Sequence, residues 1–283
     1  MKTLAALKKD LEFNRGLSSL IEVLKAIAVS QFRTLEQRMK TFEKFLSHLE
    51  SFFELVDVPG IKHPFLNPSV KTQAVVAVTS DSGLLGSLNM QVINDALVEL
   101  ERIPGKLIVI GERGKLYVRD TKIPFVAFPG IIDEERHGQA MQVRDYLINK
   151  VMEGAFGYLK VVYPHPLSFT VQKVRTVAVL PFTPTVKPVP KAGFVPEVML
   201  ESDLSDILEY LVYLWMGQKL YEIFGFSRLS EFAARFVHLE ESAQKLKELD
   251  MKTRLEYFRV RHELVDRNMR ELFAARLLFT AGQ

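Results

Sequence analysis

LAALKKDLEFNRGLSSLIEVLKAIAVSQFRTLEQRMKTFEKFLSHLESFFELV (Leu4–Val56) holds no proline and a single glycine, Gly16. Two interleaved series with a seven-residue step run through it. One is Leu7, Asn14, Ile21, Ala28, Leu35, Phe42, Leu49 and Val56; the other is Leu4, Leu11, Ser18, Lys25, Phe32, Met39, Leu46 and Phe53. Only Asn14, Ser18 and Lys25 among them are polar. A sustained seven-residue apolar repeat is the seam of a coiled coil, because it keeps one stripe of a helix facing a partner helix. At 1.5 Å per residue such a helix measures roughly 80 Å, where helices of globular domains have three or four turns. Pro59, Gly60, Pro64 and Pro68 end it.

The other end of the chain has the same character. From about Ser202 to Leu278 there is no proline. Apolar residues recur at Leu229, Phe232, Phe236, Leu239, Ala243 and Leu246, then, after a shift of register, at Leu255, Phe258, Val265, Met269 and Leu272. Ser202 or Ser205 is the expected N-cap, with Asp203, Asp206 and Glu209 in the first turns, where acidic side chains favour the positive end of the helix dipole. Gly217 and Gly225 can bend this helix without stopping it.

Between the two lies a different pattern. AVVAVT (Ala74–Thr79), LIVIGE (Leu107–Glu112), IPFVAF (Ile123–Phe128), LKVVY (Leu159–Tyr163) and the alternating FTVQKVRTVAVLPF (Phe169–Phe182) read as strands. Leu88–Glu101 and Glu134–Met152 read as helices. Strands alternating with helices imply a layered, Rossmann-like α/β domain. The last two strands have no helix between them, so one edge of the sheet is expected to be antiparallel. The expected organisation is an N-terminal coiled-coil helix over 1–58, an α/β domain over 70–183, a proline-rich connector over 184–201 and a C-terminal coiled-coil helix over 202–283. Two helices this long exceed what a domain with a radius of gyration near ~13 Å can cover. They are therefore expected to pair with each other antiparallel, with the longer C-terminal one ending alone or clasped by a partner.

The bulk composition narrows the function. With 48% hydrophobic and 25% charged residues the chain is neither a disordered tail nor a membrane protein. No uncharged apolar run reaches the length of a spanning helix, and Lys8, Lys9 and Asp10 cut the first apolar patch too short for a signal peptide. The absence of cysteine removes disulfides and thiolate metal sites. A net charge of +3 is too small to argue for nucleic acid as the main partner. The six histidines are scattered, with no pair at metal-ligand spacing, so no cofactor or metal is expected.

Three motif regions resemble the gamma subunits of F-type ATP synthases. LIEVLKAIAVSQFR (Leu20–Arg33) matches that family's first helix at Lys25, Ala28 and Arg33, with Gln31 in place of the usual Lys. TSDSGLLGSLN (Thr79–Asn89) is similar to the family's Thr-Ser-Asp-Arg-Gly-Leu-Cys-Gly-Gly-Phe-Asn. It agrees at Thr79, Ser80, Asp81, Gly83, Leu84, Gly86 and Asn89 and departs at Ser82, Leu85, Ser87 and Leu88. SEFAARFVHLEESA (Ser230–Ala243) resembles the third motif, which continues into LEYFRVRHELVDRNMRELF (Leu255–Phe273) with Tyr257, Arg259, Arg261 and Glu271 in pattern. His262, Asp266 and Asn268 stand where the family usually has Gln, Thr and Glu.

The resemblance implies a central rotor shaft that is not itself an enzyme. It would turn inside a hexamer of alpha and beta subunits, with its α/β domain beside the epsilon subunit and the membrane c-ring, peripheral on the cytoplasmic face of the membrane. It implies contacts with the alpha/beta sleeve from Lys25, Arg33, Glu231, Arg235, Arg259, Arg261, His262, Asp266 and Asn268, and a motif turn built on Asp81, Gly83, Gly86 and Asn89. Between Lys252 and Arg276 there are seven basic residues against four acidic ones. That excess suits acidic loops of a partner. It also suits a solvated face with intrahelical pairs such as Glu263–Arg267, worth a few tenths of a kcal/mol each. Arg235 likewise has Glu231 one turn earlier as an internal partner.

Two other readings stand beside this one. SDSGLLGS (Ser80–Ser87) follows a strand and precedes a helix, as phosphate-cradling loops do, but it lacks the GK[ST] lysine and the G-x-G-x-x-G spacing. A coiled-coil scaffold unrelated to ATP needs no inserted α/β domain.

Overall fold

The structure is a computed structural model that describes residues 2–53, 63–182 and 202–281, with side chains described for all of these except 40–53 and 277–281. The expected connector, 184–201, and the seam positions Phe42, Leu49 and Val56 lie outside the described residues or side chains. The elements in chain order are α1 (Leu4–Phe53), β1 (Gln73–Val78), α2 (Leu88–Arg102), β2 (Gly105–Ile110), α3 (Glu112–Arg119), β3 (Phe125–Phe128), α4 (Arg136–Met152), β4 (Tyr158–Pro166), β5 (Gln172–Leu180) and α5 (Leu204–Ala281). They fall into two compact units, Ala28–Arg235 and Met1–Ile27 with Phe236–Gln283.

In the larger unit the strands form one sheet in the order β3-β2-β1-β4-β5. β1, β2, β3 and β4 are parallel, and β5 runs antiparallel to β4. β1 is central and every residue of it is buried, as expected of a strand covered on both faces. Alternation along the strands splits the core in two. Val75, Ala77, Leu107, Val109 and Val162 face α2 and α3. Val76, Val78, Ile108, Ile110 and Val161 face the opposite layer, made of α4 and the opening stretch of α5.

That second layer departs from the sequence expectation, which gave all of α5 to a coiled coil. Leu208, Val212, Trp215, Met216, Leu220, Ile223 and Phe224 are buried in the sheet's core. Their three- and four-residue spacing makes the same stripe that a helix partner would require, so periodicity alone does not say which surface they meet. Two stacked pairs fasten α5 to α4. The Arg136 guanidinium lies 4.5 Å over the Tyr221 ring and Arg144 lies 3.5 Å over Tyr213. Both guanidinium groups also donate to the hydroxyl beneath them. The two pairs are eight residues apart on each helix and run in opposite directions. Between them Gly217 admits Met141: a Cβ there would lie 2.8 Å from the Met141 methyl carbon.

In the same unit Phe32, Leu35 and Met39 of α1 pack on Leu229, Phe232 and Ala233 of α5. In the smaller unit Leu17, Ile21 and Leu24 of α1 pack on Leu239, Ala243 and Leu246 of α5. In both places higher numbers on one helix meet lower numbers on the other, so the two form an antiparallel pair. Leu7, Asn14, Ile21, Ala28 and Leu35 of the first heptad series are all buried. In the second series Leu4, Leu11 and Lys25 are half-buried, Ser18 is exposed, and Phe32 and Met39 are buried.

Two local expectations are corrected. The strand expected over Leu107–Glu112 stops at Ile110, because Gly111 turns to φ +100° and begins α3, a helix that the sequence did not announce. The N-cap of α5 is neither Ser202 nor Ser205. The Ile207 N–H donates to the Asp203 carbonyl at 3.1 Å, which puts Asp203 at the cap and Ser205 inside the first turn.

Candidate partner-binding surfaces

The glycine turn is built from inside. Thr79 Oγ1 donates to the Ile110 carbonyl at 2.6 Å and accepts from the Gly114 N–H at 3.0 Å, locking the end of β1 to β2 and α3. Asn89 Oδ1 accepts from the Ser80 N–H at 3.1 Å and Asn89 Nδ2 donates to Ser80 Oγ at 2.8 Å. Asp81 Oδ1 accepts from the Glu112 N–H at 2.8 Å and caps α3. Gly130 leaves room for that carboxylate, since a Cβ there would lie 2.2 Å from it. Leu84 and Gly86 adopt φ of +65° and +59°, and these two left-handed residues direct Leu85 and Leu88 onto Ala234 of α5.

In the turn that resembled a phosphate cradle, the Asp81 carboxylate caps α3 and not α2, the helix that the turn precedes. Asp81, Gly83, Gly86 and Asn89 act as parts of a fixed turn, with Gly83 lying against the Arg113 side chain.

The turn meets the third sequence motif directly. Ser82 Oγ donates to Glu231 Oε1 at 2.8 Å, and Arg235 donates to both Ser82 Oγ (2.6 Å) and Glu231 Oε1 (2.9 Å). Glu231 Oε2 accepts from Arg228 at 2.6 Å. Arg228 holds Asp133 through two further hydrogen bonds of 3.1 and 3.0 Å and lies 4.6 Å over the Phe232 ring. Burial lowers the Arg228 pKa, but Asp133 and Glu231 outweigh it and hold the guanidinium above its ordinary value. The Glu231 side chain is only 5% exposed, so its carboxylate is used within the chain, whereas Arg235 stays partly open at 15%.

Lys25 and Arg33 sit in unlike places. Lys25 is paired with Glu240 at 2.5 Å and Glu22 at 3.1 Å, with its side chain 14% exposed. Its hydrogen bond to Glu240 outweighs the cost of burial and holds the ammonium above its ordinary pKa. Arg33 is exposed and borders a cavity of about 460 Å³ lined by Phe32, Met39, Phe169, Phe226 and Leu229.

Arg259, Arg261, His262, Asp266 and Asn268 are all exposed. Among the described residues none of these makes an ion pair, and the pair expected between Glu263 and Arg267 does not form. Leu255, Phe258, Leu264, Val265, Met269, Leu272 and Phe273 are exposed beside them, each by 44% or more. Sequence reasoning thus marked Glu231 and Arg235 but missed Arg228 and Asp133. The i, i+3 spacing of Arg228 and Glu231 was a visible signal, while Asp133 has none.

Against known proteins, a family model described as ATP synthase matches residues 3–275. The chain belongs to the ATP synthase family. Within this family it is similar to gamma chains. The gamma chain of Symbiobacterium thermophilum is 24% identical over 275 residues, covering 94% of this chain and 95% of that one. The gamma chain of Clostridium beijerinckii is 21% identical over 276 residues, covering 95% of each. The fold is also found in the mitochondrial ATP synthase of Euglena gracilis. A chain of its rotor structure superposes with a TM-score of 0.67 at 15% identity, covering 93% of this chain and 98% of that one. A chain of the same enzyme's OSCP/F1/c-ring structure gives 0.70 at 16% identity, covering 99% and 95%.

Proposed function

We propose that this member of the ATP synthase family is the central stalk of an F-type rotary ATPase, coupling rotation to ATP synthesis or hydrolysis in an alpha/beta hexamer. The observation that carries the reading is the contrast along α5. The helix is fixed to the sheet and to α1 by buried apolar side chains, and it then continues over Leu255–Phe273 with apolar and basic groups exposed together. A monomer seldom exposes so many large apolar side chains in one stretch unless a partner covers them.

The roles follow from this arrangement. Arg259, Arg261, His262, Asp266 and Asn268 face the sleeve of alpha and beta subunits, and Arg33 and the open side of Arg235 supply contacts nearer the α/β domain. Lys25 is held by Glu240 and Glu22 and sets the register of the helix pair while remaining at its edge. Glu231 acts from within, by fixing Arg235 and the glycine turn. The α/β domain stands beside the epsilon subunit and the c-ring. The chain performs no chemistry of its own, since its part is to resist twisting and to present an asymmetric surface. It is peripheral, on the cytoplasmic face of the membrane, and among the described residues no helix is long and apolar enough to cross a membrane.

A tagged chain isolated from its native cells in mild detergent is expected to bring down alpha- and beta-like subunits with ATP hydrolysis in the eluate. Recovery of the chain alone, or with unrelated proteins and no ATPase, would contradict the proposal and favour a scaffold of another kind.

A further inference from the structure

Arg228 occupies a position that neither the heptad pattern nor the expected sleeve contacts account for. Its guanidinium is 17% exposed and reaches two parts of the α/β domain. It grips Asp133, which lies between β3 and α4, through two nearly parallel hydrogen bonds. Through Glu231 it is joined to Ser82 in the turn after β1. Asp133 and Ser82 follow the carboxyl ends of β3 and β1, the parallel strands on either side of β2, and are 95 and 149 residues away in sequence from their partners on α5. A planar guanidinium shared between two carboxylates is directional, which apolar packing is not. Apolar contacts keep α5 on the sheet, and the Arg136–Tyr221 and Arg144–Tyr213 pairs hold its opening stretch to α4. A forked arginine with a second anchor one turn further on fixes the roll of the helix about its axis.

We propose that Arg228 is a positioning residue that locks α5 in rotational register with the sheet, so that torque on the α/β domain reaches the helix without slip. The inference rests on the central-stalk reading. The Asp133–Arg228–Glu231–Ser82 chain is the joint, and Arg235 braces it by donating to both Glu231 and Ser82.

The test compares the parent chain with Arg228→Met, Asp133→Asn and Arg228→Lys, each assembled into the complete membrane-bound complex. Both ATP hydrolysis and ATP-driven ion pumping are measured. Met keeps an apolar stem and removes the fork together with its stacking on Phe232. Lys keeps the charge and can still hold one carboxylate. The expected result is that Arg228→Met and Asp133→Asn hydrolyse ATP at close to the parent rate and lose pumping per ATP several-fold, while Arg228→Lys recovers part of it. Loss of hydrolysis and pumping in equal proportion, tracking a fall in assembled complex, would reduce Arg228 to a packing role and overturn the proposal. So would full pumping by Arg228→Met. If Arg228→Met fails to assemble, Ser82→Ala, which removes one hydroxyl from the same joint, must lower pumping per ATP for the proposal to stand. A parent complex that hydrolyses ATP but never pumps would instead overturn the central-stalk reading itself.

Discussion

Two stretches of α5 both carry large apolar side chains together with arginines, in opposite surroundings. Over Leu208–Leu239 the helix is mostly buried, and Arg228 and Arg235 are held by carboxylates. Over Leu255–Phe273 apolar residues are sparser and arginines denser, the large apolar ones are mostly exposed, and Arg259, Arg261, Arg267 and Arg270 have no ion pair among the described residues. The difference is one of partners. The first stretch finds its cover within the chain. The second has large apolar side chains that nothing among the described residues covers. A helix that keeps large apolar residues without an internal partner is built to be enclosed by something else.

The contrast makes its largest prediction about stability. Phe232→Ala empties a fully buried site and is expected to lower unfolding free energy by about 3–5 kcal/mol, whereas Leu272→Ala should stay within about 0.5 kcal/mol, both read by denaturant titration of the isolated chain. Equal effects would erase the distinction. Deleting Arg267–Gln283 should then leave the unfolding of the α/β domain unchanged and weaken assembly with the hexamer, measured by co-purification. Unfolding of the whole chain would show that the bare stretch supports the fold after all. Reversing Arg259 and Arg261 to Glu should weaken the sleeve contact most at low salt, because exposed charges are screened within about 10 Å at 0.1 M. Indifference to ionic strength would remove the electrostatic part of the account.

Smaller effects come from titration of paired and buried groups. Lys25 has a raised pKa in the fold. Its contribution is therefore complete below the unfolded value near ~10.4 and is lost as pH rises through the higher folded one. Lys25→Met should abolish that alkaline loss, worth at most about 1 kcal/mol for a pair with a half-open partner. His165 behaves in the opposite sense. Burial, with its ring stacked 4.6 Å from Phe226, lowers its pKa. Its contribution is present above the unfolded value near ~6.5 and is lost as pH falls through the folded one. His165→Phe should flatten that acid limb in a pH series of melting curves.

What the sequence disclosed was what repeats locally. The heptads of α1 placed Leu7, Ile21, Ala28 and Leu35 at the buried seam, and the missing helix before β5 foretold its antiparallel edge. What it hid depends on contacts across the chain. α3 has Gly114 within a short, polar helix that is capped by Asp81 from 31 residues away. Gly114 is needed because a Cβ there would lie 2.3 Å from Thr79 Oγ1, a constraint no local pattern carries. The opening stretch of α5 has the spacing of a coiled coil and covers a sheet. Of the site, Glu231 and Arg235 were legible as a helical pair, but the use of that pair to hold Ser82, and of Arg228 to hold Asp133, becomes visible only once β1 and β3 are adjacent to α5.

The central claim is that this chain turns. It contains no cysteine, so Glu101→Cys on the exposed end of α2 gives an attachment point for a probe that is unique within this chain, to be loaded before assembly with an immobilised alpha/beta hexamer. On adding ATP the account predicts unidirectional rotation of the probe. A probe that stays still while ATP is hydrolysed at the full rate would contradict it.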